Sequence, residues 1–359
     1  MAGRHTHSHD QLPGASRRVV AAILIPAAVA TLIAMIALWP GLTKAPTASA
    51  KINGTVTTIN GPTAAVRLDD GRHITAEGAA GVHTGDGVVL LHTPNAVPGG
   101  TDYAIVDRQR GTPMTWLLAL TIAVILAFGR WRGLTSLAGL AISFAVLLFF
   151  IIPAILEGSP PLLVAVVGAS AIMFAALYLT HGVTTHTSVA VAGTLASLVL
   201  TGLLGVAFTA ALHLTGVATD DDAFLSATLG GIDMRGLLLA GIVIGALGVL
   251  DDVTVTQAVT VAEMSAHASG RPLYRAAIRV GRAHVGSAVN TIVLAYAGAS
   301  LPLLLLISTG TQPVGDLLTG ELLAQEILRS AVGTIGLVAS VPITTALAVL
   351  AAPRHHRFA

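Results

Sequence analysis

The sequence predicts an α-helical polytopic membrane protein of about eight transmembrane helices, with a small β-rich domain outside the membrane after the first helix. Hydrophobic residues make up 54% of the 359 residues and charged residues only 10%, with a mean hydropathy of +0.80. These values lie far from the average of soluble proteins. Apolar runs of about 18 residues or more recur along the chain, each long enough to cross a hydrocarbon layer of ~30 Å. The longest break in this pattern is the region from Lys51 to Arg110, with short alternating runs.

The first predicted helix covers residues 19–39 and directly follows Arg17 and Arg18. Positive charges before an apolar run of about 20 residues are typical of a spanning helix whose N-terminus is cytoplasmic. A signal peptide cleaved near the small residues 47–50 is the alternative, but its apolar core covers only about 7 to 15 residues. We therefore expect an uncleaved helix preceded by a cytoplasmic tail at residues 1–18.

Residues 44–110 are predicted to form the extracytoplasmic β-rich domain. Short β-branched runs alternate here with turn dipeptides such as Asp-Gly, Gly-Asp and Pro-Gly. The segment "LDDGRHI" at 68–74 predicts a β-hairpin, because Asp-Gly can supply the positive φ angles of a tight turn. About five strands in this length suit a small barrel of the OB or SH3 type, and the sequence does not distinguish the two.

The rest of the chain, residues 114–352, is predicted to be a seven-helix transmembrane domain. With these spans, the arginines of the connecting segments concentrate on one side of the membrane, which the positive-inside rule assigns to the cytoplasm. Both termini are then cytoplasmic, including a second tail at residues 353–359. The predicted spans are 114–130, 134–153, 161–180, 187–211, 236–261, 284–308 and 328–352.

Several classes of function do not fit the sequence. The absence of cysteine removes thiol chemistry, and a net charge of +1 argues against a nucleic-acid partner. Without a P-loop, ATP-driven transport by this chain alone is not expected. His181 and His186 lie five residues apart and are interpreted as polar residues of a short loop, not as metal ligands. We predict no metal site and no cofactor.

Two adjacent carboxylates, Asp251 and Asp252, interrupt the sixth predicted span near its middle. One aspartate at that depth costs roughly 2.5 to 3.5 kcal/mol, so something must compensate the pair. Glycines at i and i+4 allow a second helix to approach closely, so we expect the face that carries Asp252 to point into the bundle and away from lipid. By helical spacing, this face also carries Gly241, Gly245, Gly248, Thr256 and Glu263.

The seventh predicted span is unusually polar for a helix that crosses a membrane. Its hydroxyls and amide can donate to carboxylate oxygens or complete the oxygen shell of a hard cation. The alternative is that they join two helices by hydrogen bonds, without a further role. The predicted ion path comprises Asp251, Asp252, Thr256, Gln257, Ser287, Asn290 and Thr291. Its inner end is assigned to Glu263 and His284, although Glu263 can equally be a surface carboxylate near Arg271.

Two long segments carry a resemblance to a known family. "GALGVLDDVTVTQAVTVAE" at 245–263 and "YRAAIRVGRAHVGSAVNTIVLAYAGASLPLLLL" at 274–306 closely resemble the signature of the YibE/F-like bacterial membrane proteins, especially their actinobacterial members. The resemblance covers residues 114–350. It implies a multi-spanning protein of the bacterial cytoplasmic membrane, and it brings no established biochemical activity.

Two hypotheses of different classes follow. The first is a permease for a cation or a proton-coupled solute that uses the intramembrane carboxylates. The second is a non-transporting scaffold or sensor whose β domain binds an extracytoplasmic partner. No enzyme is expected, because an intramembrane aspartyl protease needs aspartates on two different helices and the spans offer them on one. The expected partners are the lipid bilayer and a cation or proton, and a homo-oligomer is compatible with the sequence.

Overall fold

The computed structural model describes residues 14–41, 51–92, 101–308, 315 and 319–352. It divides into two compact units, Leu42–Leu134 and the combination of Met1–Gly41 with Thr135–Ala359. Of the predicted tails, residues 1–13 and 353–359 lie outside the described residues, and so do 44–50 and 93–100 of the predicted β-rich region and the two residues 42–43 before it.

The smaller unit contains a closed five-stranded barrel with the strand order β1-β2-β3-β5-β4. Neighbouring strands are antiparallel, except that β3 and β5 pair in parallel. This order is that of the Greek-key OB barrel, which decides between the two barrel types that the sequence left open. The strands are β1 Lys51–Asn60, β2 Thr63–Leu68, β3 His73–Glu77, β4 Gly87–His92 and β5 Tyr103–Arg108.

The predicted hairpin is confirmed between β2 and β3. Alternate β2 residues Ala64, Val66 and Leu68 are buried in the barrel core, as a period-2 strand requires. At the turn Gly71 adopts a φ of +87° and its amide donates to the Leu68 carbonyl at 2.9 Å. Of the Asp-Gly pair, only the glycine takes a positive φ.

The helices account for most of the chain. Six runs are long and apolar enough to cross a membrane, namely Val20–Ala37, Gly111–Leu156, Pro161–His181, Thr185–Ala211, Met234–Met264 and Glu321–Ala351. A five-residue π-helical segment, Leu147–Ile151, separates the second and third helices. The helices are α1 Gly14–Ala37, α2 Gly111–Val146, α3 Ile152–Leu156, α4 Pro161–His181, α5 Thr185–Ala211, α6 Asp220–Thr228, α7 Met234–Met264, α8 Gly270–Ala299, α9 Leu301–Ser308 and α10 Glu321–Ala351.

Two of the eight predicted spans, 114–130 and 134–153, fall within the single run Gly111–Leu156. The run is broken at Arg130, whose φ of 49° and ψ of −124° are not helical. Its 46 residues would extend about 69 Å as one straight helix, roughly twice the thickness of the hydrocarbon layer. The run is therefore long enough for two crossings, and the total of eight spans stays a prediction.

The predicted span at 284–308 has different bounds in the structure. Helix α8 begins at Gly270 and ends at Ala299, and residues 301–308 form the separate helix α9. Arginines and other polar residues lower the hydropathy of the first half of α8, so a prediction from apolar runs recognises only the C-terminal part of this helix. The helix nevertheless runs antiparallel along α10, since Leu273 packs near Ala351 and Ile292 packs near Leu337.

The centre of the helical unit is formed by α5, α7 and α10, which meet along a row of buried hydroxyls. The Thr194 and Thr254 hydroxyls are 2.6 Å apart and join α5 to α7. Gly193 faces Thr344 so closely that a Cβ would collide with the Thr344 hydroxyl. This contact of small and hydroxyl residues is typical of closely packed membrane helices. The row comprises Thr187, Thr194, Ser197, Thr201, Thr209, Thr254, Ser340, Thr344 and Thr345.

The two ends of the helical unit differ in charge. At one end, Glu321 accepts hydrogen bonds from the amide and hydroxyl of Thr215, both at 2.7 Å, which fastens the loop after α5 to the start of α10. At the other end, α7 is followed by α8, whose first turns carry exposed arginines. We call these the acidic end, with Asp220, Asp221, Asp222, Asp233 and Glu321, and the basic end, with Arg271, Arg275, Arg279 and Arg282.

Candidate functional site

The two adjacent carboxylates lie just past the middle of α7 and have different surroundings. The Asp252 side chain is 74% exposed. Asp251 is partly buried, and its Oδ1 atom is enclosed without a hydrogen-bond partner among the described residues. Neighbouring positions on a helix are rotated by ~100°, which accounts for the difference. The doublet therefore presents one carboxylate to the surface of the chain and one to its interior.

The face of α7 that carries Asp252 lies on the surface of the chain. A Cβ on Gly241 or Gly248 would meet no atom within 4 Å, and one on Gly245 would touch only the Tyr296 hydroxyl, at 3.4 Å. The expectation that this face points into the bundle is therefore wrong for the single chain. The opposite face of α7, with residues such as Leu250, already fills the contacts inside the bundle.

Helix α8 flanks this face and brings a histidine to Asp252. His284 Nε2 lies 3.9 Å from Asp252 Oδ2, which is beyond the hydrogen-bond range. That nitrogen is buried and has no hydrogen-bond partner among the residues that the structure describes. His284, predicted at the inner end of the path, is thus the nearest titratable neighbour of Asp252 on another helix, with a gap that one water molecule or a small movement can close.

The other predicted partners on α8 are exposed. Ser287, Asn290 and Thr291 lie on the outer face of that helix, and the Thr291 hydroxyl donates to the Ser287 carbonyl of its own helix at 3.0 Å. Ser287 and Thr291 follow His284 by three and seven residues, so they continue the side of α8 that carries His284, whereas Asn290 is rotated from it by about 120°.

A cavity of about 580 Å³ opens beside α7 near the basic end. Helix α7 lines it with Thr256, Thr260 and Glu263 and with the apolar Val255, Val259 and Met264, while His181 of α4 and Val280 of α8 complete the lining. Thr256 follows Asp252 by one helical turn, so the polar face continues from the cavity to the carboxylate. We call this strip of α7, comprising Asp252, Thr256, Thr260 and Glu263, the α7 groove.

Gln257, predicted to line the path, lies away from the groove. It is only 3% exposed, and its Nε2 donates to the Ala277 carbonyl at 3.1 Å and to the Thr345 hydroxyl at 2.7 Å. These two bonds join α7 to α8 and to α10. The side chain is held inside the bundle because position 257 is rotated about 100° from Thr256. Its role in this geometry is structural.

Thr260 of the groove and His181 of the adjoining cavity were not among the predicted path residues. Thr260 could have been found, because it follows Thr256 at i+4 on the same face. His181 could not, because it belongs to another helix and reaches the cavity only through the packing of α4 beside α7.

These features define a polytopic membrane protein with an acidic groove on one transmembrane helix and a separate small β-barrel. The model of the YibE/F-like protein family matches residues 117–354. The chain therefore belongs to the YibE/F-like family, as the resemblance implied, and the matched segment contains the whole α7 groove. No curated protein and no solved structure matches the chain.

Proposed function

We propose that this protein is a permease for a cation or a proton-coupled solute, and that Asp252 is the group that takes up and releases the cation or proton. The observation that carries the proposal is the α7 groove, in which polar residues continue from a cavity at the basic end to Asp252. The proposal assigns no catalytic role to either aspartate.

The cost of the carboxylates supports a working role over a purely structural one. A charged group at the centre of a membrane helix costs roughly 2.5 to 3.5 kcal/mol. Helix α7 is already held by apolar contacts and by the two hydrogen bonds of Gln257. Asp252 contributes little to this packing because its side chain is 74% exposed. Hydrogen bonding between helices therefore accounts for Gln257 and leaves Asp252 without a structural purpose.

The neighbours of Asp252 suit the transfer of a proton or the binding of a cation. His284 Nε2 stands 3.9 Å away and has no hydrogen-bond partner within the described part of the chain, so it can exchange a proton with Asp252 after a small closure. Toward the basic end, Thr256 and Glu263 offer oxygen atoms along the groove. The excess of arginine at the basic end assigns that end to the cytoplasm of a bacterium, so the cavity opens inward under this proposal.

The test is flux into proteoliposomes that contain purified protein. Wild-type protein, Asp252→Asn and Asp221→Asn are compared with a pH-sensitive dye under imposed pH gradients and with each common monovalent and divalent cation. Asp221 is the matched control because it is an exposed carboxylate on α6, away from the groove. We expect Asp252→Asn to lose flux while its elution profile and helical content stay those of wild type. Wild-type flux from folded Asp252→Asn would refute the role of this carboxylate.

A second function is favoured by the β-barrel, which forms a compact unit with its own core of residues such as Val56, Val66 and Leu90. In that case the membrane helices anchor a domain that binds an extracytoplasmic partner. Proteoliposomes in which the wild-type protein carries no ion under any gradient, together with a partner that is captured through the barrel, would favour this function over the permease.

A further inference from the structure

We infer that a second copy of this chain packs against the face formed by α7 and α8 and closes the α7 groove at Asp252. The inference rests on the proposed function, because it supplies the wall that the path lacks in one chain. At the level of Asp252 the groove is bounded on the α8 side by His284 and is otherwise open at the surface of the chain.

Lipid is a poor cover for this face. Alkyl chains cannot hydrogen-bond to a carboxylate, and the groove and the adjoining side of α8 together expose several polar groups. The surface of α5 at similar height differs, since Val199 and Leu203 are exposed there with 56% and 63% of their area. The α7–α8 side also exposes apolar residues such as Val259 and Val280, but it differs from α5 in the exposed carboxylates of Asp252 and Glu263, which a protein surface covers better than lipid does.

The shape of the face allows another helix to approach closely. Gly241 and Gly248 have open space where a Cβ would stand, and Gly245 has only the Tyr296 hydroxyl nearby. Glycines spaced by three and four residues form a shallow channel along α7, which is the pattern used where membrane helices make close contacts. Within the chain, no described helix fills this channel.

The charges of the face complement each other at matching depth. Helix α7 presents the acids Asp252 and Glu263, and the outer face of α8 presents Arg275, Arg279 and Arg282. The bond from Gln257 to Ala277 and the approach of His284 to Asp252 place these arginines between the levels of Glu263 and Asp252.

A two-fold axis along the membrane normal keeps every residue of the second copy at the depth of its equivalent in the first. Such an axis is the commonest symmetry of homo-oligomers. With the axis running along the glycine channel, the two α7 helices meet at Gly241, Gly245 and Gly248, and the acidic face of each α7 lies beside the basic face of the other copy's α8. The same face of the same chain then supplies both halves of the contact, which argues for a second copy as the occupant.

The chain contains no cysteine, so single cysteines can be introduced without removing any native thiol. Gly241→Cys, Gly245→Cys and Gly248→Cys are each reconstituted in liposomes at low protein density and oxidised. We expect a disulfide-linked dimer from at least one of the three, since a disulfide needs Cα atoms within about 7 Å. Val199→Cys on α5 is the matched control and is expected to stay monomeric.

A second measurement keeps the inference testable if a cysteine variant does not fold. Single fluorescent molecules are counted in liposomes. We expect two copies of the wild-type protein per complex, and we expect the dimer fraction of Gly248→Leu to be at least tenfold lower. The control Gly333→Leu adds the same bulk on α10 in open space and is expected to keep the dimer. Single copies of wild-type protein, without disulfide formation at any of the three glycines, would overturn the inference.

The two proposals fail in different ways. Single copies that still show Asp252-dependent flux would overturn the second copy and leave the permease intact. Dimers that show no flux under any gradient would support the second copy and count against the permease. A face covered by a different protein would give single copies in these purified liposomes, which also overturns the inference.

Discussion

The substitution Gln257→Leu separates a structural residue from a transport residue. In the structure Gln257 Nε2 makes two interhelical hydrogen bonds, to the Ala277 carbonyl and to the Thr345 hydroxyl. Leucine has a similar volume and removes both bonds. The Thr345 hydroxyl still donates to the Val341 carbonyl at 2.6 Å, so the change leaves no donor without an acceptor.

The expected loss of stability follows from the number of hydrogen bonds that are removed. An interhelical hydrogen bond in a membrane protein contributes about 0.6 kcal/mol on average and at most about 1.7 kcal/mol. Two bonds give an expected decrease of about 1.2 kcal/mol in the free energy of unfolding, with a ceiling of about 3.4 kcal/mol. Titration with SDS in mixed micelles, followed by far-ultraviolet circular dichroism, measures this decrease.

The control is Thr260→Val, which removes a hydroxyl whose one hydrogen bond among the described residues is to the Thr256 carbonyl of the same helix. Its free energy of unfolding is expected to stay within about 0.5 kcal/mol of wild type. Flux per folded molecule is expected to survive in Gln257→Leu. Unchanged stability together with lost flux in Gln257→Leu would refute the structural role and return this residue to the path.

Three further predictions concern other contacts. Gly281→Ala should lower the free energy of unfolding by about 1 to 3 kcal/mol, because its Cβ meets side chains of α7 and α10, whereas Gly286→Ala has open space. Thr219→Ala should raise hydrogen exchange in α6 by the loss of a capping box, a cost of about 1 kcal/mol. The hydrogen bond from the His83 amide and the ion pair with Arg108 lower the pKa of Asp86. Protonation of Asp86 removes this stabilisation, so barrel amides should lose protection from hydrogen exchange as the pH falls through that lowered pKa.

Each of these predictions has an outcome that contradicts it. Equal SDS midpoints for Gly281→Ala and Gly286→Ala would mean that α8 does not lie close to α7 and α10. Unchanged exchange in Thr219→Ala would exclude a role for the cap. For Asp86, the stabilising contribution is present above the ordinary carboxyl pKa of 3.8 and is lost in acid. An acid response that persists in Asp86→Asn would show that other groups cause it.

Much of the fold could be predicted because it depends on local patterns. Long apolar runs predict helices wherever the membrane is their solvent, and the hairpin at Gly71 followed from its turn residues. Helix α8 was placed too late in the sequence because apolar windows exclude its arginines. Its true start at Gly270 depends on packing against α10, which lies far along the chain.

The candidate site could be predicted in part. Helical periodicity correctly grouped Asp252 with Gly241, Gly245 and Gly248, since rotation about a helix is a local property. It could not tell whether that face turns inward or outward, because glycines suit contacts within a chain and between chains equally well. For the same reason Gln257 could not be distinguished from Thr256 as a groove residue before its partners on α8 and α10 were known.

The uneven polarity of α8 bears on how the protein enters the membrane during synthesis. A helix with arginines through its first half and polar side chains in its second half gains little by leaving the translocon for lipid on its own. Its apolar side is buried mainly against α10, which is translated later. We therefore expect α8 to enter the bilayer only after α10 has emerged from the ribosome, so that α8 and α10 insert together. When translation stalls before Glu321, α8 is expected to stay outside the bilayer.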